Sequence, residues 1–174
     1  MDWYTTILAL IDMRSFSNLW FWIMLAVIWS SASHWILGVP YDLVLRARRK
    51  GGQHEVDLED LVRINVGRLM YIGRESGLWM MSFGCFCFTA LAVLGFYYRI
   101  EFAQAVFLVL FPIAIVGLLT LAAARGIQAD DVHGTELYKR LARHRIYVQL
   151  IGMAAIFVTS IWGMYQNFQI SPLN

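Results

Sequence analysis

Twenty consecutive residues, Leu19 to Gly38, contain no Asp, Glu, Lys or Arg, and the segment that follows ends in Arg46, Arg48, Arg49 and Lys50. At a rise of about 1.5 Å per residue, an α-helix of that length matches the ~30 Å hydrocarbon thickness of a bilayer. Three more stretches of this kind follow at about 77–98, 102–124 and 146–166. Four such segments in 174 residues leave little chain for anything but helices in lipid and the loops between them. Composition agrees: 59% of residues are apolar and 15% charged, against roughly 25% charged in an average soluble domain. The expected fold is an all-α integral membrane protein with four transmembrane helices over 17–170, an N-terminal interfacial amphipathic helix over 1–16, and a cytoplasmic helical loop over 40–76.

The interfacial helix rests on residues 1–16, where Trp3, Tyr4, Ile7, Leu8, Leu10 and Ile11 fall on one side of a helical wheel and Asp2, Thr5, Ala9 and Asp12 on the other. Orientation rests on the cations. Arg46, Arg48, Arg49, Lys50, Arg63, Arg68 and Arg74 lie in the first long loop, and Arg125, Lys139, Arg140, Arg143 and Arg145 in the second. Only Arg14 and Arg99 lie on the other side. The positive-inside rule then places both loops in the cytoplasm and both termini in the periplasm of a bacterial inner membrane. Trp20, Trp22, Tyr97, Tyr98 and Tyr165 form one aromatic belt and Trp35, Tyr41, Trp79 and Tyr147 the other. A net charge of +2, not gathered on one face, argues against nucleic acid.

The loops carry their own helical signals. Pro40 kinks the first helix or starts a new one, and Gly51-Gly52 ends it. Asp57 is the expected N-cap of the next helix, with Glu59 and Asp60 at its positive end. Leu58, Val62, Asn65, Leu69, Ile72, Ser76 and Trp79 recur at alternating steps of four and three, a coiled-coil-like seam running straight into the second membrane helix. Ahead of the fourth, Thr135 caps a helix whose seam is Leu137, Leu141, His144 and Val148. Arg99-Ile100-Glu101 makes a tight turn between the second and third, and Pro112 sits inside the third.

Residues that could carry chemistry are few. His34 and His144, near matching ends of two helices, have the arrangement that a bis-histidine b-type haem requires; the bland reading bonds His34 among Ser30, Ser31 and Ser33 and makes His144 part of the headgroup-contacting cluster Arg143-His144-Arg145. With Asn65, which interrupts an apolar seam, they are the candidate polar ligand cluster. Asn65 reads equally as a polar device fixing helix register or oligomer state, or as an exposed residue on a rotated helix. Ala26, Ser30 and Ser33 form a small-residue seam for helix packing, and Arg46, Arg48, Arg49 and Lys50 a flank for anionic lipid. Cys85 and Cys87 point about 200° apart on a helix, so neither a disulfide nor a shared metal is expected. Glu55, Asp57, Glu59 and Asp60 read as a helix start, not a cation site. No Asp, Glu, Lys or Arg falls within the four spans, which argues against ion-coupled transport. No GxxxxGK[ST], GxGxxG or HExxH is present, and no catalytic residue is expected.

DMRSFSNLW, SASHWILGVPYDLVLRARRKGGQ and RINVGRLMYIGRESGLW together resemble a small bacterial inner-membrane family of about this length, whose members sometimes carry the label "component of SufBCD complex". The resemblance implies a multi-pass helical protein and brings no catalytic residues. An iron–sulfur assembly role would call for exposed thiolates, whereas Cys85 and Cys87 lie mid-helix; docking through the 41–76 loop is the form such a role could take. The expected function is a non-enzymatic accessory or scaffold subunit packing against other membrane proteins or against copies of itself. A b-type haem protein is the second reading and an oligomeric channel the third.

Overall fold

The structure is a computed structural model that describes residues 15–169, with the side chains of Ser15 and Gln169 excepted. The interfacial helix expected over 1–16 falls almost wholly outside the described residues. Of that segment, Ser15 belongs to a 3₁₀ turn, Ser15–Ser17, and Phe16 is buried in the bundle.

Six α-helices follow: α1 Leu19–His34, α2 Tyr41–Lys50, α3 Gln53–Glu75, α4 Gly77–Ala92, α5 Glu101–Ala129 and α6 Gly134–Gln169. Among the described residues, three helical stretches are long and apolar enough to cross a membrane: α4 with the π-helical turn Val93–Tyr97 that extends it, α5, and α6. The fold is all-α, as expected. The first apolar stretch is shorter than expected. Its helix stops at His34 after 16 residues, about 24 Å at 1.5 Å per residue.

What stops α1 is a two-stranded hairpin, β1 Trp35–Ile36 and β2 Val39–Pro40, with Trp35 opposite Pro40 and Ile36 opposite Val39. Its turn residues Leu37 and Gly38 have φ of 52° and 74°, the positive values that a tight two-residue hairpin turn demands. Leu37 tolerates this unusual conformation because its side chain is anchored: Ile36, Leu37 and Val39 are all buried in one apolar cluster. Pro40 then starts α2 from an extended backbone, and Gly51 and Gly52, with φ of 60° and 57°, turn the chain into α3.

Two cores result. The first, at the end bearing the cations, joins the hairpin to Val44 and Ala47 of α2, Leu58, Val62 and Val66 of α3, and the ends of α5 and α6 through Ala124, Ile127, Leu137 and Leu141. The second holds α1 to α5 and α6 through Phe16, Phe21, Leu25, Trp29, Ala105, Val109 and Ala155. α4 packs against α5 by edge-on rings, Phe88 on Phe107 and Phe111, and has no buried residue. At 29 and 36 residues, α5 and α6 reach about 44 and 54 Å and so take part in both cores. α5 continues unbroken through Pro112.

Three expected local details differ. α3 begins at Gln53, so Asp57 lies one turn inside it, where it accepts a hydrogen bond from Gln53 Nε2 at 2.9 Å. The buried face of α3 is Leu58, Val62 and Val66; Ile72 and Trp79 are exposed, and the helix breaks at Ser76 before α4. A straight α-helix has 3.6 residues per turn, so a 3.5-residue seam drifts off the contact face unless the helices supercoil. Finally, α6 already includes Thr135 in its first turn; the carboxylate that meets its first N–H comes from α3, with Glu59 Oε1 accepting from Gly134 N at 2.7 Å.

Candidate functional site

The three polar residues singled out by sequence sit around the cation-bearing core, each with a different partner. Asn65 is half-buried on α3 and its Nδ2 donates to the carbonyl of Gly38 at 3.2 Å. A Cβ at Gly38 would come within 3.2 Å of the Asn65 amide, so turn and side chain fit as a pair. Asn65 is thus not a free surface residue. It fastens the hairpin turn to α3. His144 is buried on α6, on the seam expected for it, with Leu137, Leu141 and Val148 also buried. Its Nε2 lies 3.2 Å from Thr120 Oγ1 of α5, and that hydroxyl also donates to Val116 O at 2.8 Å. His34 is exposed at the end of α1, with Nε2 3.8 Å from Asp42 Oδ1. So the two histidines turn their ring nitrogens to different groups, Thr120 and Asp42.

His34 does line a cavity of about 350 Å³, together with Ser30, Ser31, Ser33, Trp35 and, from α6, Arg145. The Arg145 guanidinium carbon lies 3.9 Å from the centroid of the Tyr41 ring, a cation–π contact that ties α6 to the start of α2. The basic run of α2 lies alongside. Arg46, Arg48, Arg49 and Lys50 are all exposed while Val44 and Ala47 face inward, and Asp42 Oδ2 is 3.8 Å from Arg46.

A second ion-pair cluster fastens the turn between α5 and α6. Asp130 takes Arg140 at 2.6 Å, and Asp131, at φ 44°, faces His133 Nε2 at 3.2 Å. Glu59 reaches both the Gly134 N–H and His133 Nδ1, the latter at 3.4 Å. The hydrogen bond that His133 donates to Asp131 raises its pKa above the ordinary value; desolvation opposes this, and the charges of Asp131 and Glu59 add to the rise. Among the described residues, no group of three or more His, Cys, Asp or Glu gathers in a way that could hold a metal ion.

Sequence reasoning missed the polar cluster at the opposite end. Gln104 is almost fully buried on α5. Its Nε2 donates to Gly95 O at 2.8 Å, and its Oε1 accepts from Trp162 Nε1 at 2.9 Å and from Gln166 Nε2. One amide thus bridges α4, α5 and α6. The π turn Val93–Tyr97 supplies the free carbonyl, and Gly95 is required there because a Cβ would come within 3.0 Å of Gln104 N. Beside it Phe16 N donates to Glu101 Oε1 at 2.8 Å, and Ser17 Oγ to Asn167 Oδ1 at 2.7 Å. A lone Gln in an apolar run gives no sign of this; only its spacing from Gly95 across a tight turn could have.

Small residues also fall where the sequence did not single them out. α1 meets the other helices with bulky residues, Phe21, Leu25 and Trp29, and α6 answers with Gly152, Ala155, Thr159 and Gly163, all buried. A Cβ at Gly152 would sit 2.8 Å from Trp29 Cε3, and one at Gly163 3.2 Å from Phe16 and Trp22. The seam named on α1 faces away: Ala26 and Ser30 are exposed and Ser33 is half-buried. On α4, Ser82, Cys85 and Thr89 are likewise exposed, and Cys87 is half-buried.

Comparison of the chain with protein-family models, curated proteins and solved structures finds no match.

Proposed function

We propose that this chain is a multi-pass inner-membrane protein without catalytic activity of its own, an accessory or scaffold subunit that packs beside other membrane proteins. In this reading α1 joins α4, α5 and α6 as a fourth, thin crossing, with the hairpin carrying the chain out of the lipid. The cation-bearing core faces the cytoplasm and both termini face the periplasm, as the positive-inside rule requires.

One observation carries the reading: among the large exposed side chains of α1 and α4 stand small residues that the chain's own packing does not use. Ala26 and Ser30 on α1, and Ser82, Cys85 and Thr89 on α4, are exposed, while close helix contact inside the bundle relies on Gly152 and Gly163. Around Gly84 of α4, a Cβ would meet nothing within 4 Å. Lipid tails have no need of small side chains, whereas a neighbouring helix does, because small positions let two backbones approach. The Thr89 hydroxyl is satisfied by Cys85 O at 2.8 Å, so at that position the seam exposes no unmet donor to hydrocarbon.

The test is purification in a mild detergent from native membranes. A defined assembly, with a companion protein or further copies of this chain, is expected, and Ala26→Leu or Cys85→Leu should dissolve it. A lone monomer under the gentlest extraction would overturn the proposal.

A further inference from the structure

We propose that the notch between the end of α1 and α6, at the cation-bearing end, binds a phosphate-type oxyanion, the headgroup of an anionic phospholipid. The inference rests on the membrane reading above but not on the scaffold role. It also differs in kind from the diffuse attraction of the basic run on α2.

The lining is polar and holds no carboxylate: Ser30, Ser31, Ser33, His34, Trp35 and Arg145. The Ser33 hydroxyl already donates to Ser30 O at 3.0 Å and His34 Nε2 faces Asp42, which leaves the Ser30 and Ser31 hydroxyls, the Trp35 indole and the Arg145 guanidinium as donors. Its volume of about 350 Å³ lies within the range of small-ligand pockets. Arg145 is the decisive group. Arg46, Arg63 and Arg140 each face a carboxylate of this chain within 3.8 Å. Arg145 instead uses only the face of its guanidinium, on Tyr41, and among the described residues its N–H donors meet no acceptor. Its Nε, like that of Arg140, is shut off from solvent without a hydrogen-bond partner, but Arg140 has a carboxylate at its other nitrogens. A guanidinium presents a planar fork of N–H groups that matches a phosphate, and a buried donor left unmet is costly. Asp42 does not compete, because it is shared by His34 and Arg46 at 3.8 Å each. Depth fits as well. Ser30 to His34 are the last turn of an apolar helix, and the exposed Trp35 next to them is a residue suited to the headgroup level.

The experiment reads lipid retained by the detergent-purified full chain, by native mass spectrometry, after incubation with phosphatidylglycerol or phosphatidylcholine. Phosphatidylglycerol should be retained in preference. Arg145→Gln should lower retention roughly tenfold, the loss of one or two charge-assisted hydrogen bonds. Ser31→Leu should do the same by filling the notch from an exposed position while leaving Arg145 on Tyr41, which guards against a folding defect in Arg145→Gln. The double variant Arg48→Gln, Arg49→Gln should stay within about twofold, since exposed flank charges are screened by salt. Displacement of the lipid by millimolar inorganic phosphate would support the oxyanion site while assigning it to a soluble phosphate. Wild-type retention in both Arg145→Gln and Ser31→Leu, or equal retention of phosphatidylcholine, would overturn the proposal. A monomer that still retains phosphatidylglycerol would count against the scaffold reading alone.

Discussion

The two cores are built under different rules. At the cation-bearing end, amphipathic α2 and α3 turn their apolar faces onto the hairpin and the helix ends, leaving charges outside, as in a small water-soluble domain. In the apolar region the helices have no polar side to distinguish. There α1 is fitted to α6 by bulk against glycine, Trp29 on Gly152, and α4 lies against α5 with its large side chains outward, Leu78 81% exposed. Where water drives burial, sequence period marks the inner face. Where lipid is the solvent, hydrophobicity is needed on every side, and shape and a few hydrogen bonds decide the contacts.

The sharpest way to break this contrast is to truncate one leucine in each region. Leu141→Ala removes a side chain with no exposed surface, and a fully buried Leu→Ala costs about 2–5 kcal/mol. Leu78→Ala on α4 should change stability by less than about 0.5 kcal/mol, as expected of a residue away from any packed contact. Thermal unfolding of the detergent-solubilised chain, followed by circular dichroism, compares them. Equal losses would mean that α4 is as tightly packed as the core.

A glycine pair comes next in size. Gly152→Ala forces a methyl group to within 2.8 Å of the Trp29 ring, and overpacking of this kind costs about 1–3 kcal/mol. Gly84→Ala meets nothing within the chain. It should leave the isolated chain unchanged or slightly more stable, and weaken only an assembly that packs on α4. A proteolysis rate in detergent reads the first effect, and native electrophoresis the second.

These two regions also account for what could be read from the sequence. The seam Leu137, Leu141, His144 and Val148 was legible because it lies where a helix leaves the apolar stretch and regains a polar side. Pro40, Gly51-Gly52 and the Arg99–Glu101 turn were legible as breaks in the chain. The hairpin at 35–40 was not: Trp35, Ile36, Leu37 and Val39 continue an apolar run that has the composition of a membrane helix, and only the positive φ at Leu37 and Gly38 sets them apart. The partners of Asn65 and Glu59 were not legible, for one reason. Each acts on another element, the hairpin turn and the start of α6, where spacing along α3 carries no information. Gln104 was passed over because its partners arrive from two other helices.

Gln104 offers a smaller test of the same contrast. Gln104→Leu leaves Gly95 O and the Trp162 and Gln166 donors without their shared partner. Interhelical hydrogen bonds in membrane proteins average about 0.6 kcal/mol, with a maximum near 1.7. The loss should therefore be smaller than that of Leu141→Ala, and visible as freer movement of α4, whose helical contacts lie mainly on α5. Faster hydrogen exchange over Val93–Tyr97, with Leu137–Val148 unchanged, is the expected pattern. Faster exchange across both would show that the two cores fail together.

The smallest effect separates the cores by pH. His133 belongs to the water-facing region, where Asp131 and Glu59 raise its pKa above the ordinary value of 6.5. A group held more basic in the folded than in the unfolded chain stabilises the fold fully below its unfolded pKa. That contribution fades as pH rises through the folded value. His133 also sits just before the first residue of α6, where the helix dipole disfavours a cation, and it is exposed, so the gain is small. His133 should contribute a slight fall in the thermal midpoint as pH is raised from about 6 to about 8, read as the difference in slope between the wild type and His133→Asn. Glu59→Gln should remove that contribution only in part, because the Asp131 hydrogen bond is the larger cause, and should also lower the midpoint at every pH by weakening the bond to the Gly134 N–H. A slope unchanged in His133→Asn would mean that another group sets the pH response, and that the α5–α6 turn does not carry the electrostatic coupling between α3 and α6.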